Sequence, residues 1–286
     1  MIIDICNFKT PMKRLILLFL LLTAFTEIHA QKAETKTISV DTIEFASTRK
    51  KLNGIDAKPF EKLLFEASRG KLPYRLLAPT NKKSNKKYPL VIALHNSSRL
   101  GTDNENQLEP LIRTWLQTAT REKFPAFVLA PQFETRPTIY TEDHKLKVLT
   151  AVPQQNLQLL IQLIESLLKN PQVDTKRIYL IGYSMGGSTA QHLLSEKPDW
   201  FAAMISIAGV PDFSNLANIK NKPIWLIHGK QDHENPFSGS EKLFELLKDN
   251  KNIRFTIYQN LNHHNINYQF LTGDELAKWL FKWISK

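Results

Sequence analysis

The 286 residues include a single cysteine, Cys6. No internal disulfide can form, so the folded chain relies on its packed core. No cysteine follows the apolar run Leu15–Phe25, which leaves no point for a lipid anchor. That run is itself short of the ~20 apolar residues a membrane-spanning helix needs. No internal repeat and no Pro/Gly/Ser-rich linker breaks the chain, so no array and no string of small domains is expected. Metal-ligand spacing is missing too, and neither a metal nor a cofactor is expected. The net charge is +11, yet no basic helix with interleaved aromatics accompanies it. The charged stretch Lys82–Lys87 reads as a solvated turn, and nucleic acid is not an expected partner.

What is present is an ordinary globular composition, 42% hydrophobic and 23% charged, with a mean hydropathy of -0.28. Lys13 and Arg14 precede the apolar run, and Ala30 stands before Gln31. This is the layout of a secretory signal over residues 1–30, with Met1 or Met12 as the start and an uncleaved signal anchor as the competing reading. A periplasmic or secreted protein without stable membrane association follows as the expectation. Residues 1–30 carry Lys9, Lys13 and Arg14 against Asp4 and Glu27, so the basic balance survives their removal. Residues 31–58 are polar and weakly patterned and read as an N-terminal arm. Residues 59–286 then form the folded domain.

Within that domain, continuous apolar runs recur at Val91–Leu94, Phe127–Ala130, Ile178–Ile181, Met204–Ala208 and Ile224–Ile227. Runs without alternation suit strands packed on both faces, as in a parallel sheet. Helical patterns lie between them at Gln107–Thr118, Leu157–Leu168, Met185–Ser195, Ser240–Asp249 and Asp274–Ile284. Strand and helix in alternation predict an α/β fold with a predominantly parallel sheet. Phe60–Ala67 and Leu72–Ala78, joined through Arg69-Gly70, predict an antiparallel hairpin at one edge.

The strand ending at Ile181 runs into Gly182-Tyr183-Ser184-Met185-Gly186 and then into a helix. This is a G-x-S-x-G elbow in its strand-turn-helix setting, where glycines allow a tight turn and Ser184 projects above the sheet. Serine is a weak nucleophile at its ordinary pKa. The elbow therefore calls for a base and an orienting acid downstream, in the order serine, acid, histidine. Asp232 lies just past the strand Ile224–Ile227, with Glu234 as the competing acid. After the strand Ile253–Tyr258 come His263 and His264, one of which is the expected base.

These motifs, together with Leu72-Pro73-Tyr74-Arg75, Gly101-Thr102-Asp103-Asn104 and Leu129-Ala130-Pro131-Gln132, resemble the α/β-hydrolase superfamily. The group is that of esterases and peptidases related to polyhydroxybutyrate depolymerases and feruloyl or acetylxylan esterases. The resemblance implies an α/β-hydrolase fold without a separate lid domain. It places the base at His263, because the family's Gly-x-Gly falls on Asn260-Leu261-Asn262, and asparagine tolerates the left-handed conformations that glycine supplies. It places the oxyanion-hole amides at Met185 and Ser97, with Asn96 as the fallback, because the family's His-Gly-x-Gly reads His95-Asn96-Ser97-Ser98 here. His95 and His228 take structural positions, and His144 and His192 read as surface or helix residues. Phe133–Val152, with Arg136, Tyr140 and His144, is the one loop long enough to shape the pocket.

The activity so implied is an exported serine hydrolase with the catalytic set Ser184, Asp232 and His263. It would act on ester-bearing small molecules or acyl-decorated polysaccharide. A peptidase of the prolyl-oligopeptidase type and a catalytically silent binding protein are the rival readings. Oligomeric state is not readable from the sequence.

Overall fold

In a computed structural model that describes residues 32–285, the apolar runs become the central strands of one nine-stranded sheet. The strands are β1 (Lys32–Lys36), β2 (Phe60–Ala67), β3 (Gly70–Leu77), β4 (Tyr88–Leu94), β5 (Phe127–Pro131), β8 (Val173–Tyr183), β9 (Ala203–Ile207), β10 (Ile224–Gly229) and β11 (Ile253–Tyr258). A separate hairpin is made by β6 (Thr138–Asp143) and β7 (Val148–Pro153). The helices are α1 (Thr42–Asn53), α2 (Pro110–Arg113), α3 (Thr118–Lys123), α4 (Gln155–Leu168), α5 (Met185–Glu196), α6 (Leu216–Ile219), α7 (Phe237–Leu246) and α8 (Glu275–Leu280). The expected signal segment, residues 1–30, lies outside the described residues.

Every residue of β4 is buried because the sheet has a core on each face. Val91 and Ala93 join one apolar cluster with Leu111, Trp115, Trp279 and Leu280. Leu90, Ile92 and Leu94 join the other, with Leu157, Leu160, Leu193 and Leu194. Continuous rather than alternating hydrophobicity is the sequence trace of this two-sided packing.

The sheet order is β1-β11-β10-β9-β8-β4-β5-β3-β2. All pairings are parallel except β2 with β3 and β3 with β5, so the antiparallel hairpin sits at one edge as the sequence suggests. From β4 the chain moves outward to β5. It then returns to the other side of β4 as β8 and proceeds away through β9, β10 and β11. This reversal is a topological switch point, and a crevice opens at the carboxyl ends of the two strands that flank it. Ser97 follows β4 and Ser184 follows β8, so both stand at that crevice.

The helix expected over Gln107–Thr118 is broken into α2 and a 3-10 turn at Thr114–Leu116, and two larger segments depart from the sequence reading. Within residues 31–58, read as an arm, the described residues enter the fold: β1 pairs in parallel with β11, and α1 is capped by Asp41, whose side chain accepts from the Ile43 and Glu44 amides. The segment hid because β1 is an edge strand of mixed polarity and α1 buries only Leu52, leaving no apolar stripe to recognise. The second is the stretch Phe133–Val152, which folds into the β6–β7 hairpin and not an open loop. Its Tyr140 hydroxyl lies 3.2 Å from the Ser188 hydroxyl of α5, and none of its residues lines the cavity beside Ser184.

Candidate active site

Ser184 occupies a backbone conformation that side chains seldom adopt, φ 56 and ψ -120. Close packing holds it there. A Cβ on Gly182 would stand 2.2 Å from the Gly186 backbone, and one on Gly186 would stand 2.1 Å from the Leu94 carbonyl oxygen. Only glycine lets α5 approach β4 and β8 this closely. The Ser184 amide donates to the Ile207 carbonyl at 2.8 Å, tying the elbow to β9. Strain of this kind persists where the surroundings over-determine it, as at functional sites.

Three side chains from three strand ends meet here. His263 Nδ1 lies 2.7 Å from Asp232 Oδ2, and His263 Nε2 lies 2.9 Å from Ser184 Oγ. Because the carboxylate can only accept, Nδ1 carries the proton and Nε2 is free to accept from the serine hydroxyl. Asp232 Oδ1 accepts from the Glu234 and Asn235 amides. Its Oδ2 also receives His228 Nε2, whose proton is shared with the Asn235 carbonyl, while Ser240 donates to His228 Nδ1 at 2.7 Å. Burial alone would raise the Asp232 pKa, but the hydrogen bonds from His228 and His263 outweigh it. They hold the carboxyl well below its ordinary range.

Two further contacts set the imidazole. Tyr183, next to the nucleophile, donates its hydroxyl to the His263 carbonyl at 2.7 Å, and its ring lies 5.2 Å from the imidazole. Burial keeps that phenol above its ordinary pKa and therefore protonated. The competing candidates stand apart from the serine. His264 is 79% exposed and pairs with Glu234 at 2.9 Å; Glu234 approaches His263 no nearer than 3.6 Å.

The loop before His263 does not use the left-handed backbone that its asparagines tolerate. Neither Asn260 nor Asn262 has a positive φ. Their side chains do the work instead: Asn262 Oδ1 accepts from the His264 and Asn265 amides, and Asn260 bonds the backbone of Ile38.

The first amides of α5 and of the 3-10 turn Ser97–Arg99 belong to Met185 and Ser97, positions with no intrahelical acceptor. The amide of Asn96, the fallback donor, is engaged by Glu109 Oε1 at 3.2 Å. His95 is buried, which pulls its pKa down to about 4, so it is neutral. It donates from Nδ1 to the Asn96 carbonyl at 2.7 Å and accepts the Phe133 amide at Nε2. His192, read from sequence as a surface or helix residue, is in α5 and buried, 3.0 Å from Asp212.

Ser184 and His263 open into a cavity of about 170 Å³ bordered also by Ser97, Glu109 and, from α1, Phe45 and Arg49. Glu109, Phe45 and Arg49 escaped the sequence reading. Glu109 precedes Pro110 and looks like a simple helix start, and α1 looks like part of an unstructured arm. Among the described residues no cluster of His, Cys, Asp or Glu could hold a metal ion.

Comparison with known proteins agrees with this architecture. A sequence model of the dienelactone hydrolase family matches residues 125–270, half of the chain. The bifunctional acetylxylan esterase/xylanase XynS20E of Neocallimastix patriciarum is 28% identical over 155 residues, which are 54% of this chain and 20% of that protein. The chain thus spans about a fifth of that relative. Among solved structures, a thermostable esterase superposes with a TM-score of 0.69 at 30% identity, over 79% of this chain and 63% of that one. The acylaminoacyl peptidase of Pyrococcus horikoshii shares the fold, with a TM-score of 0.57 at 18% identity over 88% of this chain and 44% of its own. With an elbow serine at the switch point of a mostly parallel sheet and this family match across its second half, the chain belongs to the dienelactone hydrolase family and has the α/β-hydrolase fold.

Proposed function

We propose that the protein is a serine carboxylesterase that removes small acyl groups through an acyl-enzyme on Ser184. The observation that carries this reading is the relay from Asp232 Oδ2 to His263 Nδ1 at 2.7 Å and from His263 Nε2 to Ser184 Oγ at 2.9 Å, built on a strained elbow. In the first half-reaction His263 Nε2 takes the hydroxyl proton as Oγ bonds to the ester carbonyl carbon. The amides of Met185 and Ser97 receive the oxyanion. The tetrahedral adduct then collapses, the carbon–oxygen bond to the alcohol breaks, and the imidazolium gives its proton to the leaving alkoxide. Water repeats the sequence in reverse: His263 deprotonates it, it attacks the acyl carbon, and Ser184 leaves with the proton. Asp232 keeps the required tautomer and stabilises the transient imidazolium.

Room in the site supports short acyl chains. A volume of about 170 Å³ is many times the roughly 10–15 Å³ that a single water needs. An acetyl or propionyl group fits, and the open rim leaves the alcohol side free to be bulky, as an acylated polysaccharide would be. The acetylxylan esterase name of the relative XynS20E points the same way. The apolar run Leu15–Phe25 behind Lys13 and Arg14 supports export, with residues 1–30 removed. N-terminal sequencing of the secreted form tests that step.

The test of the activity is p-nitrophenyl acetate hydrolysis with labelling of Ser184 by a fluorophosphonate. Ser184→Ala loses both, by several orders of magnitude in kcat; a variant as fast as the parent overturns the assignment. Hydrolysis of peptide anilides in preference to acetate esters would overturn the ester reading in favour of a peptidase.

A further inference from the structure

We propose that Glu109 is a positioning residue of the oxyanion hole, acting through Asn96 on the amide of Ser97. The inference rests on the serine-esterase reading above and adds to it the device that aims one of the two amides.

Asn96 is held from three sides. Its backbone amide donates to Glu109 Oε1 at 3.2 Å and its Nδ2 donates to Glu109 Oε2. Its Oδ1 accepts the Ser98 amide at 2.8 Å and the Ser98 hydroxyl at 2.7 Å. Its carbonyl accepts from His95 Nδ1 at 2.7 Å and from the Arg99 amide at 3.2 Å. The carbonyl of Asn96 and the N–H of Ser97 lie in a single trans peptide plane and point in opposite directions within it. Fixing the carbonyl therefore fixes the Ser97 N–H, which points away from His95 and Arg99. Ser97 lines the cavity that Ser184 and His263 share.

Glu109 is the one member of this clamp that binds both the backbone and the side chain of Asn96. It is 5% exposed and borders the same cavity. A carboxylate in such a place is costly to bury unless its oxygens are satisfied, and the two Asn96 donors satisfy one oxygen each. The side chain at 96 has Glu109 as its partner. The charged and titratable groups around Glu109 are Arg99 on the 3-10 turn and Arg49 on α1, with Tyr183 at the end of β8. Burial raises the Glu109 pKa to about 7, against the pull of Arg99, Asn96 and Arg49. Protonation would turn one acceptor into a donor facing Asn96 and loosen the clamp.

Polarity reversal tests the pair. Glu109→Gln places an amide donor against the Asn96 Nδ2 donor, and kcat for p-nitrophenyl acetate is expected to fall about 10²-fold, the effect of losing one oxyanion donor, with KM little changed. Adding Asn96→Asp restores complementarity, because the amide introduced at 109 donates to the carboxylate introduced at 96 while the backbone amide still has an oxygen to bind. The double variant is expected to recover most of the lost kcat. A merely structural carboxylate would not give a kcat-selective loss with rescue by the reversed pair. Asn96→Asp alone, which keeps the Oδ1 acceptor for Ser98 and the backbone bond but sets a carboxylate oxygen against Glu109 Oε2 in place of the Nδ2 donor, serves where Glu109→Gln does not fold, and it too should lose kcat selectively. Parental kcat in Glu109→Gln or in Asn96→Asp alone, or a folded double variant without recovery, overturns the proposal. Ser184→Ala run alongside separates the two failures: an active Ser184→Ala sinks the esterase reading, whereas an inactive one beside a fully active Glu109→Gln sinks only this inference.

Discussion

Asn260 and Ile38 exchange hydrogen bonds: the Ile38 amide donates to Asn260 Oδ1 at 3.2 Å, and Asn260 Nδ2 donates to the Ile38 carbonyl at 2.6 Å. The side chain acts as a further rung of the β1–β11 ladder, which ends at Lys36 and Tyr258, and so connects the N-terminal edge strand to the loop that carries His263. Replacing Asn260 by glycine keeps the loop's backbone options but removes both bonds. At about 1 kcal/mol for each bond, a loss of roughly 2 kcal/mol in stability is expected by urea denaturation. Esterase activity should remain in the folded fraction, because neither bond touches the relay.

The pH response of Asp232 has a definite sign. Its folded pKa lies below the unfolded value near 4, because the hydrogen bonds from His228 and His263 outweigh the effect of burial. The stability it contributes is therefore complete above about pH 4 and is lost as pH falls through the depressed folded value. Asp232→Asn should flatten that acid arm of the melting profile. It should also lower kcat about 10⁴-fold at neutral pH, as loss of the orienting acid does in a Ser-His-Asp set, since the amide no longer selects the Nδ1–H tautomer. A variant with parental kcat would show that another group, such as Glu234, orients the imidazole.

Glu109 behaves in the opposite way. Its pKa is raised from 4.5 to about 7, so the native state holds the proton more tightly than the unfolded chain does. Unfolding releases that proton between these values, and Glu109 thus subtracts stability as pH climbs from about 4.5 to about 7. With 1.36 kcal/mol per pKa unit, the decline amounts to about 3 kcal/mol. Melting of the parent and of Glu109→Gln across pH 4 to 8 measures it: the parent should fall relative to the variant, and parallel curves would show that Glu109 does not titrate there.

Much of this site was legible because its constraints are backbone constraints. Gly182 and Gly186 flank Ser184 for a reason the pattern already implies, since any Cβ there meets main-chain atoms. Asp232 and His263 were findable because strand ends are marked by apolar runs. The elements that escaped are those defined by polar complementarity between distant segments. Lys32–Lys36 carries no apolar signal, and its place in the sheet depends on β11 and on Glu34, which pairs with Arg254 and accepts from Thr256 at 2.8 Å. Glu109 sits 13 residues from Asn96 in the chain, with nothing local to announce the contact. The asparagines at 260 and 262 hid their part for a similar reason: both tolerate a left-handed backbone but use none, and their side-chain hydrogen bonds are made to other segments and neighbours.

Tyr183 offers the sharpest test of how far the imidazole depends on its supports. The phenol is buried and donates to the main-chain carbonyl of His263 itself, while the ring packs against the imidazole at 5.2 Å. Tyr183→Phe preserves the packing and removes the bond, leaving the His263 carbonyl unsatisfied. Such an orphan costs about 1–3 kcal/mol. Part of that cost is relieved if the loop shifts, and a shift lengthens the 2.9 Å contact between Nε2 and Ser184 Oγ. Because misplacement of a catalytic group by about 1 Å can cost 10²-fold, kcat should drop by roughly 10-fold or more with KM nearly constant. The lost stability should be smaller than the full penalty for an unpaired carbonyl. A variant that loses the whole penalty in stability while keeping parental kcat would mean that the loop is rigid without Tyr183 and that Asp232 alone sets the imidazole.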